Sequence, residues 1–198
     1  MITLLQLSVI RSMKIHEGYN VLSMITLSEY YERLEAASRS FNTIELGRVD
    51  NCPILFLTPK KIPTKLVLIA GGFHGEEPAG PLGILHYIES HPSCSLSFLP
   101  LVNPTGFRVN RRYNLMGQNP NSGFCHDYGN SPSIERDMLL RHFNMIINAS
   151  RDAFVSLHED IDEDRFYVYS FENSVTTGKF TKSLVSILSS FFNQFQMA

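Results

Sequence analysis

The 198-residue sequence has no tryptophan and only three cysteines, Cys52, Cys94 and Cys125. They are widely spaced and form no CxxC pair, which argues against a disulfide framework or a thiolate metal site and fits a reducing cytoplasm. Net charge is also lacking: 17 Lys and Arg against 19 Asp and Glu leave a formal charge of -2. Without a basic cluster there is no footprint for nucleic acid or for an anionic membrane surface. No apolar run reaches the ~18 to 20 residues that a spanning helix requires. The apolar stretch Met1 to Ile10 is short, has no basic residue before it and no small-residue cleavage site after it, so residues 1–27 read as a poorly constrained leader.

What is present is ordinary globular composition, 43% hydrophobic and 18% charged. The length suits one domain with a sizeable core and is too short for two, so residues 28–198 read as a single domain. Ser28 ahead of Glu29 to Ala37 predicts a helix over 28–39. Two β-rich runs, Thr43 to Val49 and Ile54 to Leu57, flank Asp50-Asn51-Cys52-Pro53 as a hairpin would. Lys65 to Ala70 is continuously apolar, like a strand buried on both faces, and Gly71-Gly72 ends it. Leu82, Leu85 and Ile88 then follow at helical spacing over 79–89.

A further apolar run over 96–102 stops at Asn103-Pro104-Thr105-Gly106. Residues 107–133 are polar and weakly periodic, too long for an idle connection in a compact domain, and read as a functional loop. Ser133 caps a helix predicted over 134–148; strands follow at 152–157 and 165–171, then a helix at 179–195. This alternation predicts an α/β fold with a mixed, mostly parallel sheet flanked by helices on both faces, and ligands beyond the carboxyl ends of the strands.

Two of those strand ends carry metal-type residues. His74-Gly75-Glu76-Glu77 follows the first glycine turn, and its His and Glu, three residues apart, can converge on one ion. A second buried strand ends at His158, so all three side chains can meet in one crevice. His86 and Glu89 repeat the HxxE spacing, but inside a helix among apolar neighbours, and read as structural. Glu159 and Asp160 can orient a ligand histidine or serve a second ion, as outer carboxylates do.

HxxE at 74–77, the NP-x-G turn at 103–106, Gly117 to Phe124 and the strand Ser156-Leu157-His158 occur in the order found in carboxypeptidase A-like zinc metallopeptidases, which this chain resembles over residues 65–172. The resemblance implies one Zn²⁺ held by His74, Glu77 and His158, and a substrate-binding Asn at Asn121. It also implies an arginine that polarises the scissile carbonyl and stabilises its oxyanion. Arg112 fits that role best among Arg108, Arg111 and Arg112. Ser122 stands where the family has the arginine that clamps a peptide's terminal carboxylate, and a short uncharged side chain cannot replace a bidentate guanidinium.

The family's general-base Glu comes from a late strand well beyond the third ligand. Glu172 is the residue available for it here, and the sheet is expected to be incomplete at its C-terminal side. An edge bared in that way implies dimerisation, and so a homo-oligomer, or poor solubility. The expected activity is zinc-dependent hydrolysis of an amide bond, by a peptidase of carboxypeptidase type with atypical specificity, in the cytoplasm. Ser122 also moves weight toward the aspartoacylase and succinylglutamate desuccinylase branch, making the substrate a peptide or an N-acyl amino acid. The alternatives are an N-acyl-amino-acid deacylase or a truncated metal-binding domain without turnover.

Overall fold

The strands among the described residues are three to nine residues long and lie in one sheet. The computed structural model describes residues 4–10, 25–122, 132–160, 166–171, 179–191 and 195–197. In chain order the strands are β1 (Leu4–Ile10), β2 (Phe41–Val49), β3 (Cys52–Pro59), β4 (Val67–Gly71), β5 (Ser97–Leu99), β6 (Ala153–Asp160), β7 (Phe166–Phe171) and β8 (Phe195–Met197). The helices are α1 (Leu27–Ala37), α2 (Ala79–Ser90), α3 (Pro104–Arg108), α4 (Ile134–Arg141), α5 (Phe143–Ala149) and α6 (Lys179–Phe191).

The sheet runs β2-β3-β5-β4-β6-β1-β7-β8. β4 lies at its centre, parallel to both β5 and β6, while β2, β3 and β5 are joined antiparallel. β1 is parallel to β6 and antiparallel to β7, and β7 pairs parallel with β8. The sheet is thus mixed, with four of seven pairings parallel. Residues 4–10 were read from sequence as part of a leader over 1–27, whereas here they form a strand inside the sheet. The run Leu4-Leu-Gln-Leu-Ser-Val-Ile has the length and the composition of a strand, and those properties fit the sheet better than a leader does.

Helices cover both faces. Leu68 and Ala70 of β4, with Ile54, Phe56 and Leu99, pack against Met138 and Leu139 of α4 and Ile146 of α5. On the other face Leu57 and Phe98 meet Tyr30 and Leu34 of α1, Ile84, Leu85 and Ile88 of α2, and Phe107 of α3. Val155 and Val168 pack against Leu184, Val185 and Leu188 of α6. Burying this much apolar area, at about 25 cal/mol per Å², is the main term that holds the layers together.

Two local details differ from the sequence reading. The cap of α1 is Thr26 rather than Ser28: its hydroxyl accepts from the Glu29 backbone N–H while the Glu29 carboxylate accepts from Thr26, a reciprocal capping box. The helix expected over 134–148 is broken at His142, whose Nδ1 lies 2.9 Å from the Met138 carbonyl oxygen and whose backbone leaves helical geometry. No helix among the described residues is long and apolar enough to cross a membrane.

Candidate metal centre

The centre forms where β4 gives out. Gly72 has φ +66, a conformation that costs glycine little, and it turns the chain away from the sheet. The backbone N–H groups of Val102 and Asn103 donate to the carbonyls of Gly71 and Gly72 at 3.1 and 2.8 Å, stitching this turn to the one that follows β5. Gly75 lies against Gly106 so closely that a Cβ there would fall 2.0 Å from the Gly106 carbonyl carbon. Two loops are therefore interlocked, one carrying His74 and Glu77 and the other opening with Asn103-Pro104-Thr105-Gly106.

Asn103 is wholly buried and ties the two together. Its side-chain oxygen caps α3 by accepting the Gly106 N–H at 2.9 Å, and its amide donates to the carbonyls of Phe73 at 3.3 Å and Arg112 at 3.2 Å. The Arg112 carbonyl also accepts the Gly75 N–H at 3.4 Å. The arginine-bearing loop and the HxxE turn thus share anchors.

His74, Glu77 and His158 come together, each about 4% exposed, with their ligand atoms all within 4.8 Å of one another. Nδ1 of His74 is 2.6 Å from Glu77 Oε1, and Nδ1 of His158 is 2.8 Å from Glu77 Oε2. Phe73 stacks on the His158 ring at 6.0 Å, and the two imidazoles lie 5.1 Å apart. Burial works to raise the Glu77 carboxyl, but hydrogen bonds to His158 and His74, reinforced by their charge, outweigh it and hold the group at about 2. Glu77 is an anion at any ordinary pH.

The donor set fits a metal ion. Ser156, two residues before His158 on β6 and so on the same face, places its Oγ 2.9 Å from His158 Nε2. A hydroxyl both donates and accepts, so Ser156 can donate to Nε2 while Nδ1–H donates to Glu77, or accept an Nε2 proton and leave the Nδ1 lone pair for a cation. Two imidazole nitrogens and one carboxylate, buried and converging, are what a divalent ion takes from protein while leaving a position open. The remaining nitrogen of His74, Nε2, is buried with no hydrogen-bond partner among the described residues.

Arg112 reaches the rim of this centre: its Nη1 donates to Glu76 Oε1 and Glu77 Oε1, both at 3.3 Å. Arg108 points elsewhere, to Asp50 at 2.7 Å. Arg111 lines a cleft of about 370 Å³ together with Glu76, Asn110, Arg112, Tyr113, Asn114, Leu115 and Gly117. Asn121 donates its backbone N–H to Asn119 Oδ1 at 2.9 Å, and the Ser122 hydroxyl donates to the Asn119 carbonyl at 3.0 Å, so both belong to one turn. Glu172 lies outside the described residues. Glu159 accepts the Ala79 backbone N–H in the first turn of α2, and Asp160 accepts the Tyr167 hydroxyl at 2.6 Å. The second HxxE is structural, as expected: His86 is exposed and Glu89 pairs with Arg33 at 2.7 Å.

Sequence reasoning missed three contributors. Ser156 was visible in the period of two along a strand, and Glu76 in its adjacency to the ligand, but nothing marked Glu135. That residue is fully buried, accepts from Asn114 Nδ2 at 2.8 Å, and has its carboxyl raised chiefly by burial. Asn114 in turn accepts the N–H groups of Met116 and Gln118 at 3.0 and 2.9 Å, so this pair shapes the loop after Arg112.

No family model matches the sequence, and no curated protein matches it. Solved structures do. A candidate metallopeptidase from Shewanella baltica OS155 is 36% identical, with a TM-score of 0.74 over 84% of this chain and 67% of its own. Another candidate metallopeptidase, from Shewanella amazonensis SB2B, is 36% identical, with a TM-score of 0.72 over 84% of this chain and 68% of its own. A metallo-carboxypeptidase from Burkholderia cenocepacia, 21% identical, shares the fold with a TM-score of 0.64 over 86% of this chain and 51% of its own. The chain thus spans about two thirds of the Shewanella proteins and half of the Burkholderia one. With the HxxE turn, the NP-x-G turn and the distant histidine gathered at one sheet end, it belongs to the metallopeptidase family of the Shewanella proteins and has a carboxypeptidase-like fold.

Proposed function

We propose that the chain is a zinc-dependent hydrolase of an amide bond, a peptidase of carboxypeptidase type with atypical specificity, whose substrate is a peptide or an N-acyl amino acid. The observation that carries this reading is the convergence of His74, Glu77 and His158 within 4.8 Å in a buried pocket. Imidazole nitrogen and carboxylate oxygen in a set of three are the donors of a catalytic zinc site. A bound Zn²⁺ supplies Lewis acidity, both to the carbonyl under attack and to the attacking water.

The chain's own groups act around it. Ser156 holds the His158 ring through the 2.9 Å contact to Nε2, and Glu77 would neutralise part of the ion's charge. Arg112, at the edge of the centre and about half exposed, is placed to donate to an oxyanion as negative charge develops on the carbonyl oxygen. Its two carboxylate contacts are long, at 3.3 Å, and a stronger acceptor can replace them.

The test is to load the purified chain with zinc and assay it against peptides with free C-termini and against N-acyl amino acids. Hydrolysis that disappears in both His158→Ala and Arg112→Ala, with zinc retained only in the second, supports the reading. Stoichiometric zinc in the parent with neither substrate class turned over sinks it.

A further inference from the structure

Glu135 is fully buried in the first turn of α4, where its Oε2 accepts Asn114 Nδ2 at 2.8 Å. The same amide nitrogen also donates to Gln118 Oε1 at 3.0 Å, while Asn114 Oδ1 accepts the backbone N–H groups of Met116 and Gln118 at 3.0 and 2.9 Å. An asparagine side chain has two donors and an oxygen with two lone pairs, so all four are used here. Only one polarity satisfies them. Facing the Glu135 oxygen the amide presents nitrogen, which leaves its own oxygen for the two N–H groups that close the turn over 114–118. Reversed, it would set oxygen against oxygen at Glu135 and nitrogen against two donors. Gln118 ties the end of that turn to the start of α4 as well, donating to the Pro132 carbonyl at 3.2 Å and accepting the Ile134 N–H at 3.4 Å.

The turn begins two residues after Arg112. The Arg112 carbonyl is itself held from the other side, by Asn103 Nδ2 at 3.2 Å and by the Gly75 N–H at 3.4 Å. Leu115 donates its N–H to Thr105 Oγ1 at 3.1 Å, and the wholly buried Thr105 hydroxyl donates to Asn103 Oδ1 at 3.4 Å. A connected series of polar contacts thus runs from α4 to Asn103 and the HxxE turn, with Arg112 between its anchors. The guanidinium has a weaker hold, two contacts of 3.3 Å on a side chain about half exposed, so its aim depends on the backbone it leaves. We infer that Glu135 is a positioning residue for Arg112: by holding Asn114 it fixes the loop from which that guanidinium reaches the rim of the metal centre. The assignment rests on the amide-hydrolase reading above and adds to it a buried residue on a helix behind the loop. What the position requires is an acceptor for an amide N–H, so Gln can serve there where Leu cannot.

The experiment uses the full chain loaded with zinc and an N-acetylated dipeptide as substrate, in the parent, Glu135→Leu, Glu135→Gln and Asn114→Ala. In E135L kcat is expected to fall about 10- to 100-fold, the cost of a small misplacement of a group that acts on the reacting atoms, with KM and zinc content unchanged. E135Q recovers most of that loss. N114A removes the other partner and reproduces it, and the double variant is no worse than either single one, as for two residues acting through one contact. If E135L does not fold, N114A against E135Q makes the same comparison. A parental kcat in E135L and N114A, a loss shared by KM and zinc content, or an E135Q as impaired as E135L overturns the assignment. Absence of hydrolysis in the zinc-loaded parent counts against the hydrolase reading instead, and amide hydrogen exchange then decides on Glu135. Faster exchange at Met116 and Gln118 in E135L, with the sheet protected as in the parent, supports the hold on the loop, and unchanged exchange removes it.

Discussion

His158 depends on what lies behind it. Its Nδ1 addresses Glu77 while Nε2 is 2.9 Å from the Ser156 hydroxyl, so the serine holds the ring's orientation. Ser156→Ala is expected to weaken metal affinity by about 10- to 100-fold, as loss of an outer partner usually does, without unfolding the protein. Competition against a chelator of known affinity measures this, and His86→Ala is the matching control with no expected change, because that imidazole is exposed. Unaltered affinity in S156A would show that packing against Phe73 alone orients the ring. At this scale the convergence of His74, Glu77 and His158 was legible because HxxE at a strand end has a fixed spacing and a second buried strand ends at His158. Ser156 was equally open to reading, as it lies two positions earlier on the same strand. Glu135 was not, because a carboxylate in the first turn of a helix looks like a solvated dipole partner until Asn114 is seen against it.

Elements were legible where composition and geometry agreed. The hairpin of β2 and β3 follows from two β-rich runs around a polar turn, and β4, its glycine turn and α2 follow from a buried apolar run with sharp punctuation. β1 was hidden because its pairing with β6 and β7 comes from residues about 150 positions away, and short apolar runs at a terminus have several readings. The close approach of the two loops was hidden as well, since a glycine reveals flexibility in sequence but not what presses against it. Gly75→Ala places a methyl group 2.0 Å from backbone and so must part the loops. It is expected to cost about 3 kcal/mol or more and to lower metal affinity. Gly83→Ala, in the interior of α2 with nothing within 4 Å of the new Cβ, is expected to gain roughly 0.5 to 1 kcal/mol instead. Denaturant melts of both variants measure the contrast, and equal stabilities would mean that the loops give way easily.

Across the whole molecule, the centre joins parts that the sheet keeps separate in sequence. Glu77 and His158 are 81 positions apart, one following β4 and the other on β6, and the two strands are neighbours in register from Val67 opposite Ala153 to Gly71 opposite Leu157. The unfolded chain offers no such triad, so an ion that binds the three ligands stabilises the folded state by mass action. At free metal 100-fold above Kd the gain is about 2.7 kcal/mol, which for a chain of this size raises Tm by roughly 5 to 10 °C. Thermal melts with and without zinc measure it, and a chelator should reverse it. In Glu77→Gln the same addition should leave Tm unmoved, because the carboxylate between the two imidazoles has lost its charge. Were zinc to raise Tm equally in that variant, the ion would be binding elsewhere, and the convergence of the three side chains would be a hydrogen-bonded cluster rather than a metal centre.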